Sequence, residues 1–357
     1  MTTIFDTDMP LRSCGSKQRV QSNRSCCGNG FRLMTRWIRV FVLILAAMPG
    51  HVQGVEDRVI RTGLKTECRN FSVSPDGGQL IFDTASLLLG LRLIDLKTGA
   101  IRVLPSEPGR NWEMARWDGE GKRLVAVSTL VRDNNYIIRD QRVILIDPRD
   151  WSHRVIASGE GVKIKPFFSA DGKRIYYFKG QARTSGKTIA AGFDLFSVDI
   201  STGQEEQQTE EAFYQVSVGD VSKDGRLIYF SAVGGKKFRY LWDVTTGGSH
   251  LFTFDIGAKR LSPITVSNPD KLFELSRPAM DNVGGLYFIA GTRGDKGHFL
   301  YALYKVSKAG EPPQKVIGIP IWAGYYLVMR TGDVYFPETQ QGQLVFRHVA
   351  PQPINVK

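Results

Sequence analysis

Short apolar stretches with a two-residue alternation, each introduced by a polar cluster containing glycine, recur along most of the chain. The clearest copies are SPDGGQLIF from Ser74, DGEGKRLVAV from Asp118, SADGKRIYYF from Ser169 and SKDGRLIYF from Ser222. Looser copies, DNVGGLYFI from Asp281 and RTGDVYF from Arg330, bring the turn glycines to positions near 77, 121, 172, 225, 284 and 332. Glycine accepts positive φ and Asp can bond its neighbouring backbone, which suits a tight hairpin. The alternation that follows reads as a half-buried strand.

A second phrase follows each turn: LRLIDLKTG, VILIDPRD, LFSVDISTG and LFTFDIGAK, with Asp95, Asp147, Asp199 and Asp255 at equivalent places and spacings of 52, 52 and 56 residues. A unit is therefore strand, Asp-Gly turn, strand, middle loop, strand, Thr-Gly-type turn, strand. Four antiparallel strands in about 50 residues make one propeller blade. The expected fold is all-β, a six-bladed β-propeller of four-stranded antiparallel blades. One such sheet cannot bury both of its faces alone, so stacking in a ring explains the repetition, and ring closure removes exposed edges. Closure uses either Asp57 to Thr62 or the tail PINVK. The turn Asp residues are of a type that can ligate metal or move protons, but they sit on successive blades and read as structural.

The run SPDG, then QLIF, then LRLIDLKTGAIRVL resembles the repeat of TolB-like (WD-type) propeller proteins, and the resemblance extends from about Phe71 to Val349. It implies the fold and a periplasmic setting. Related repeats also form the propeller of prolyl oligopeptidase-type enzymes, and no catalytic residue comes with the motif. About 17 residues separate Val55 from the first repeat, so the small α/β domain that precedes the propeller in TolB has no counterpart in 55–357.

The N-terminal stretch MTRWIRVFVLILAAMPGHVQG has the zones of a secretory signal: Arg36 and Arg39, an apolar run from Val40 to Met48, Pro49, then small residues at Val52 and Gly54. Cleavage is expected after Gly54, with Ala47 as the second choice. A membrane-spanning helix needs about 20 apolar residues, far more than this run offers. Residues 1–33 read as a non-native upstream segment, with Met34 the true start, or as a disordered leader. The assignment is thus leader 1–33, signal peptide 34–54 and propeller 55–357. Of four cysteines only Cys68 follows the signal, so no internal disulfide is expected.

The chain of 357 residues carries a net charge of +12, but its first 54 residues hold seven Lys/Arg and two acidic residues, leaving 40 basic and 33 acidic after Val55. Most of that remaining excess falls in four middle loops, Val131 to Asp140, Gly180 to Phe193, Val233 to His250 and Thr292 to His298, which together carry +5. Loops of this kind on a rigid scaffold commonly carry binding. Arg183 and Lys187, then Lys236, Lys237 and Arg239, then Arg293 and Lys296 are the candidate ligand-binding residues. Lys163 and Lys165 would add to them from an inter-blade connection, and Trp112, Phe213, Tyr214 and Trp322 would supply either aromatic surface or core.

Enzyme signatures are few. There is no Gly-x-Ser-x-Gly, and GQARTSGKT has one residue too many for a phosphate loop and no helix to follow. His153, His250, His298 and His348 fall on different blades without a paired ligand motif, so no metal and no other cofactor is implied. The leading expectation is an exported, non-catalytic, monomeric binding module of the cell envelope. It would dock an envelope protein or an anionic envelope polymer through the basic loop face. The alternative is a hydrolase or lyase acting on a glycan or peptide at the central channel. The basic residues are not interleaved with aromatics as nucleic-acid binders require, so nucleic acid is not expected as a partner.

Overall fold

The computed structural model describes residues 57–350 apart from 85–89, 134, 186, 218, 237–247, 268–271, 295–297, 309, 320–326 and 330. It gives backbone alone at 57, 182–191, 319 and 327–328. Residues 55–357 form one compact unit. Strand order defines six antiparallel sheets. Blade 1 is β2 (Cys68–Val73), β3 (Gln79–Thr84), β4 (Arg92–Asp95) and β5 (Ile101–Val103), counted outward from the channel. Blade 2 is β6 (Arg110–Trp117) to β9 (His153–Ala157), and blade 3 is β10 (Val162–Phe168) to β13 (Glu205–Gln207). The inner strand of blade 4 is split into β14 (Gln215–Val216) and β15 (Asp220–Val221), both paired with β16 (Leu227–Val233) ahead of β17 (Ser249–Asp255) and β18 (Arg260–Pro263). Blade 5 runs from β19 (Phe273–Met280) to β22 (Gln314–Ile319).

Blade 6 answers the closure question. Its strands β23 (Leu327–Val328), β24 (Val334–Gln340) and β25 (Gln343–Val349) are completed on the outside by β1 (Asp57–Arg61), with Asp57 opposite Val349 and Arg61 opposite Val345. The N-terminal segment, one of the two candidates, closes the ring.

All six turn glycines have the expected positive φ, from 65° at Gly172 to 91° at Gly332. In blade 1 the turn is tied by Ser74 Oγ donating to Asp76 Oδ1 at 2.5 Å while accepting from Gln79 N, and by Asp76 Oδ1 accepting from Gly78 N at 3.0 Å. Ser169 with Asp171, and Ser222 with Asp224, repeat the arrangement. These donors hold Asp76, Asp171 and Asp224 below the ordinary carboxylate range. The outer-turn residues Asp147 and Asp199 are drawn down to about 2, by Arg149 and by the Ser201 hydroxyl with the Thr202 amide respectively. Their carboxylates cap their own turns, as the repeat spacing implied.

The second strands are buried on both faces rather than half-buried. Leu80 and Phe82 pack with Phe346 and Leu344 of blade 6, while Ile81 between them packs with Leu124 and Ile144 of blade 2. Val125 and Val143 of blade 2 meet Ile175 and Tyr177 of blade 3 in the same way. A blade in a ring has a neighbour on each face, so alternation sorts side chains between two seams instead of between core and water. Aromatic rings dominate the seam between blades 3 and 4, where Phe178 and Phe230 lie 5.2 Å apart and Phe213 and Phe252 5.5 Å apart.

Two of the expected middle loops are strands. The chain from Val131 to Asp140 is largely hairpin, β7 (Leu124–Arg132) turning into β8 (Asn135–Ile146) with Asp133 at φ 50°. Gly180 to Phe193 belongs to β11 (Arg174–Ser185) and β12 (Lys187–Asp199), paired out to Ser185 opposite Lys187. Because β10 accompanies β11 only as far as Gly180, the remainder is a two-stranded arm, roughly 16 Å long at the usual rise. The β-branched residues Thr184, Thr188 and Ile189 favour extended backbone. Among the described residues no helix is long and apolar enough to cross a membrane.

Candidate functional site

In each blade the first and third turns emerge on one face, and the middle connection and inter-blade connection on the other. This topology puts the described sequence candidates on the second face. Arg183 and Lys187 lie in the arm of blade 3, Arg183 opposite Ile189. Lys236, exposed, follows β16 in blade 4, where its amide donates to Glu211 O at 2.8 Å. Arg293, exposed, ends β20 (Leu286–Arg293) opposite Phe299 of β21 (Phe299–Val306) in blade 5. Lys237, Arg239 and Lys296 lie outside the described residues. Of the aromatic candidates, Trp112 and Phe213 are core, Tyr214 is exposed, and Trp322 is outside the described residues. His250 sits in β17 opposite Ala232, and His298 accepts from Gly294 N through its carbonyl. His153 contacts Glu107, and His348 meets Asp333 at 2.8 Å, so the described histidines are distributed around the ring.

Lys163 and Lys165 are corrected in position: both are in the inner strand β10, not in a connection. Lys163 is fully buried and donates from Nζ to Gly159 O at 2.7 Å. Lys165 belongs to a different constellation, at the centre of the ring.

There the inner strands enclose a cavity of about 600 Å³ whose mouth is formed by the short first turns. Three inner strands carry a β-bulge four residues before the turn. The bulges bracket Met114, Lys165 and Arg277, at φ 56°, 54° and 54°. Proline follows both cations, at Pro166 and Pro278, where the interrupted ladder needs no amide donor. Bulge amides are satisfied from the preceding blade: Met114 N donates to Asp83 Oδ2 at 2.7 Å, and Arg277 N to Ser217 Oγ and Ser231 Oγ at 3.3 Å. Asp83 also accepts from the Asn70 amide at 2.7 Å, and Asn70 Oδ1 accepts from Lys165 Nζ at 2.6 Å. Burial raises the Asp83 carboxyl, and the Met114 and Asn70 donors oppose the rise.

Two residues before the turn lie Ser72, Arg116, Phe167 and Asp220. Ser72 Oγ accepts from Trp117 N in the next blade, and Asp220 Oδ2 from Met280 N at 3.1 Å, so one register staples blade 1 to 2 and blade 4 to 5. Arg116 is held below the ordinary guanidinium range by burial, against the pull of Asp220. Behind the wall, Glu113 accepts from Thr129 at 2.6 Å, Thr129 from Gln141 at 3.1 Å, and Gln141 from Lys163 N at 2.8 Å. Burial raises Glu113 to about 7. Among the described residues no three His, Cys, Asp or Glu side chains come together as a metal site requires.

Arg116, Arg277, Asp220 and the role of Lys165 were not found from sequence. The available signal was positional. Aligning the repeats on the turn puts Asn70, Met114, Lys165 and Arg277 in register, with polar groups where an inner strand should be apolar and Lys-Pro and Arg-Pro pairs in two blades.

The fold and cavity together define a six-bladed propeller with a charged central channel. Its propeller fold is similar to that of TolB proteins. The chain is similar to TolB from Acinetobacter baumannii, with TM-score 0.51 and 14% identity over 86% of this chain and 66% of that one. It is likewise similar to a putative TolB from Agrobacterium tumefaciens, with TM-score 0.52 and 16% identity over 74% and 88%. An oligogalacturonate lyase in complex with manganese shares the fold at TM-score 0.50 and 10% identity, over 80% of this chain and 78% of that one. No protein-family model matches the chain, and no curated protein matches its sequence.

Proposed function

We propose that this chain is an exported, non-catalytic binding propeller of the bacterial cell envelope, produced by cleavage after Gly54 and docking an anionic protein or polymer through the face that carries the middle connections. The supporting observation is topological: the middle connections of three successive blades, bearing Arg183 and Lys187, Lys236, and Arg293, all belong to that one face. Cations spaced along an arc there act by charge and by hydrogen bonds to carboxylate or phosphate, and screening by salt weakens such contacts. The TolB-like fold supports a binding scaffold and a periplasmic location, and the segment from Met34 to Gly54 supports export.

The test is capture from intact Gram-negative cells expressing the tagged protein, crosslinked at low and at moderate salt. The expected result is an envelope component whose recovery falls as salt rises and falls at least tenfold when Lys236, Lys237 and Arg239 are changed to Glu. Capture unaffected by the charge reversal rejects this face as the docking surface.

A further inference from the structure

We infer that the central cavity is a second, separate binding site, on the opposite face from the proposed docking surface, for a small molecule bearing a carboxylate or phosphate on a partly apolar body.

Three cations from three blades reach the same cavity: Arg116 from blade 2, Lys165 from blade 3 and Arg277 from blade 5. The cavity is also lined by Asp118, Glu120, Asp171 and Asp220, of which Asp118 pairs with Arg123 at 2.8 Å, Glu120 with Lys122 at 2.9 Å, and Asp171 accepts from Ser169 Oγ at 2.6 Å. Asp220 accepts from Val221 N at 2.9 Å and from Met280 N at 3.1 Å, and Asp83 takes up amides from blades 1 and 2. With the lining carboxylates engaged in this way, three cations converge on one cavity, which favours an incoming anion.

Backbone conformation supports the same reading. Lys165 and Arg277 occupy the left-handed region, which L side chains seldom adopt, and both do so at the same register. Strain of this kind persists where surrounding structure enforces it and is concentrated at ligand sites. A seam needing only closure would be met by the unbulged ladder. The bulge is what breaks the alternation and re-aims these side chains. The rest of the lining fixes the body of the ligand: Met114, Phe167, Trp117 and Met329 give apolar contact, and the volume of about 600 Å³ lies in the usual range of small-molecule sites.

The experiment uses the mature protein labelled with 13C at methionine methyls. Beyond Gly54 the chain has three methionines, Met114, Met280 and Met329, and two of them line the cavity. Phenyl phosphate and benzoate are titrated separately, with benzyl alcohol as the neutral comparison. At least one anion is expected to shift the Met114 and Met329 methyls saturably, at least tenfold more tightly than benzyl alcohol. Whichever of the two binds more tightly identifies the preferred charged group. Arg277→Gln and Lys165→Gln are each expected to weaken that binding at least tenfold, while Lys315→Gln, exposed on the outer strand of blade 5, leaves it unchanged. Absence of saturable shifts with both anions overturns the inference, as does equal binding of benzyl alcohol. Should a channel variant fail to fold, the wild-type comparison of anion with neutral analogue still decides.

Discussion

Gly77 has φ 70° and open space where a Cβ would stand, so an alanine there meets no neighbour and pays only for its backbone conformation. Gly77→Ala is expected to cost about 1 kcal/mol in urea unfolding. Glu113 offers a sharper residue-level test because its folded state holds the proton more tightly than the unfolded chain does. Its carboxyl rises from an ordinary 4.5 to about 7. The associated stability is fully present below 4.5 and is lost as pH climbs through 7. Melting temperature should therefore fall between pH 5 and pH 8, and Glu113→Gln should shrink that fall. An identical pH profile in the variant would contradict the assignment.

At the scale of the strand, Asp83 couples two blades, since one carboxylate from β3 holds an inner-strand amide of β2 and the bulged amide of β6. Asp83→Ala leaves two backbone donors, that of Met114 buried, and the Asn70 side-chain amide without this acceptor, and is expected to destabilise by about 3 kcal/mol in chemical denaturation. Asp83→Asn, which keeps an acceptor oxygen, should cost less. The strands themselves were legible in the sequence wherever turn chemistry marked them: Ser74, Asp76 and Gly77 announce a hairpin because each supplies a bond or a φ that the turn requires. The arm of blade 3 was less legible, since Thr184 to Ile189 carry no Asp-Gly signal and their polar composition reads as loop. The bulges were not legible at all. Lys165 and Arg277 look like ordinary charged residues until three inner strands are superposed on their turns, because a bulge is specified by what the neighbouring blade offers its amide.

Across the whole molecule, ring closure depends on β1, which pairs along its entire length with β25. Ile60 joins the core between blades 6 and 1, together with Phe71, Phe82 and Phe346. A chain truncated to begin at Thr62 should lose the outer strand of blade 6 and melt roughly 10 °C lower than one truncated to begin at Val55. Unchanged melting would contradict closure by the N-terminal strand. The six-fold repeat made the ring and its blade count readable, and the phase of the turns assigned the two faces. Which termini meet depends on pairing between residues almost 290 apart, for which periodicity carries no information.

The two faces can be separated by site-specific photocrosslinking in intact cells. Tyr214, 53% exposed, lies on the face of the middle connections, and Val283, 84% exposed, lies on the short-turn face. A photoreactive phenylalanine analogue at each position reports which face meets an envelope component. Docking by the basic face predicts a salt-sensitive crosslinked product from position 214 and none from position 283. A product from position 283 alone, or from neither position, would contradict it.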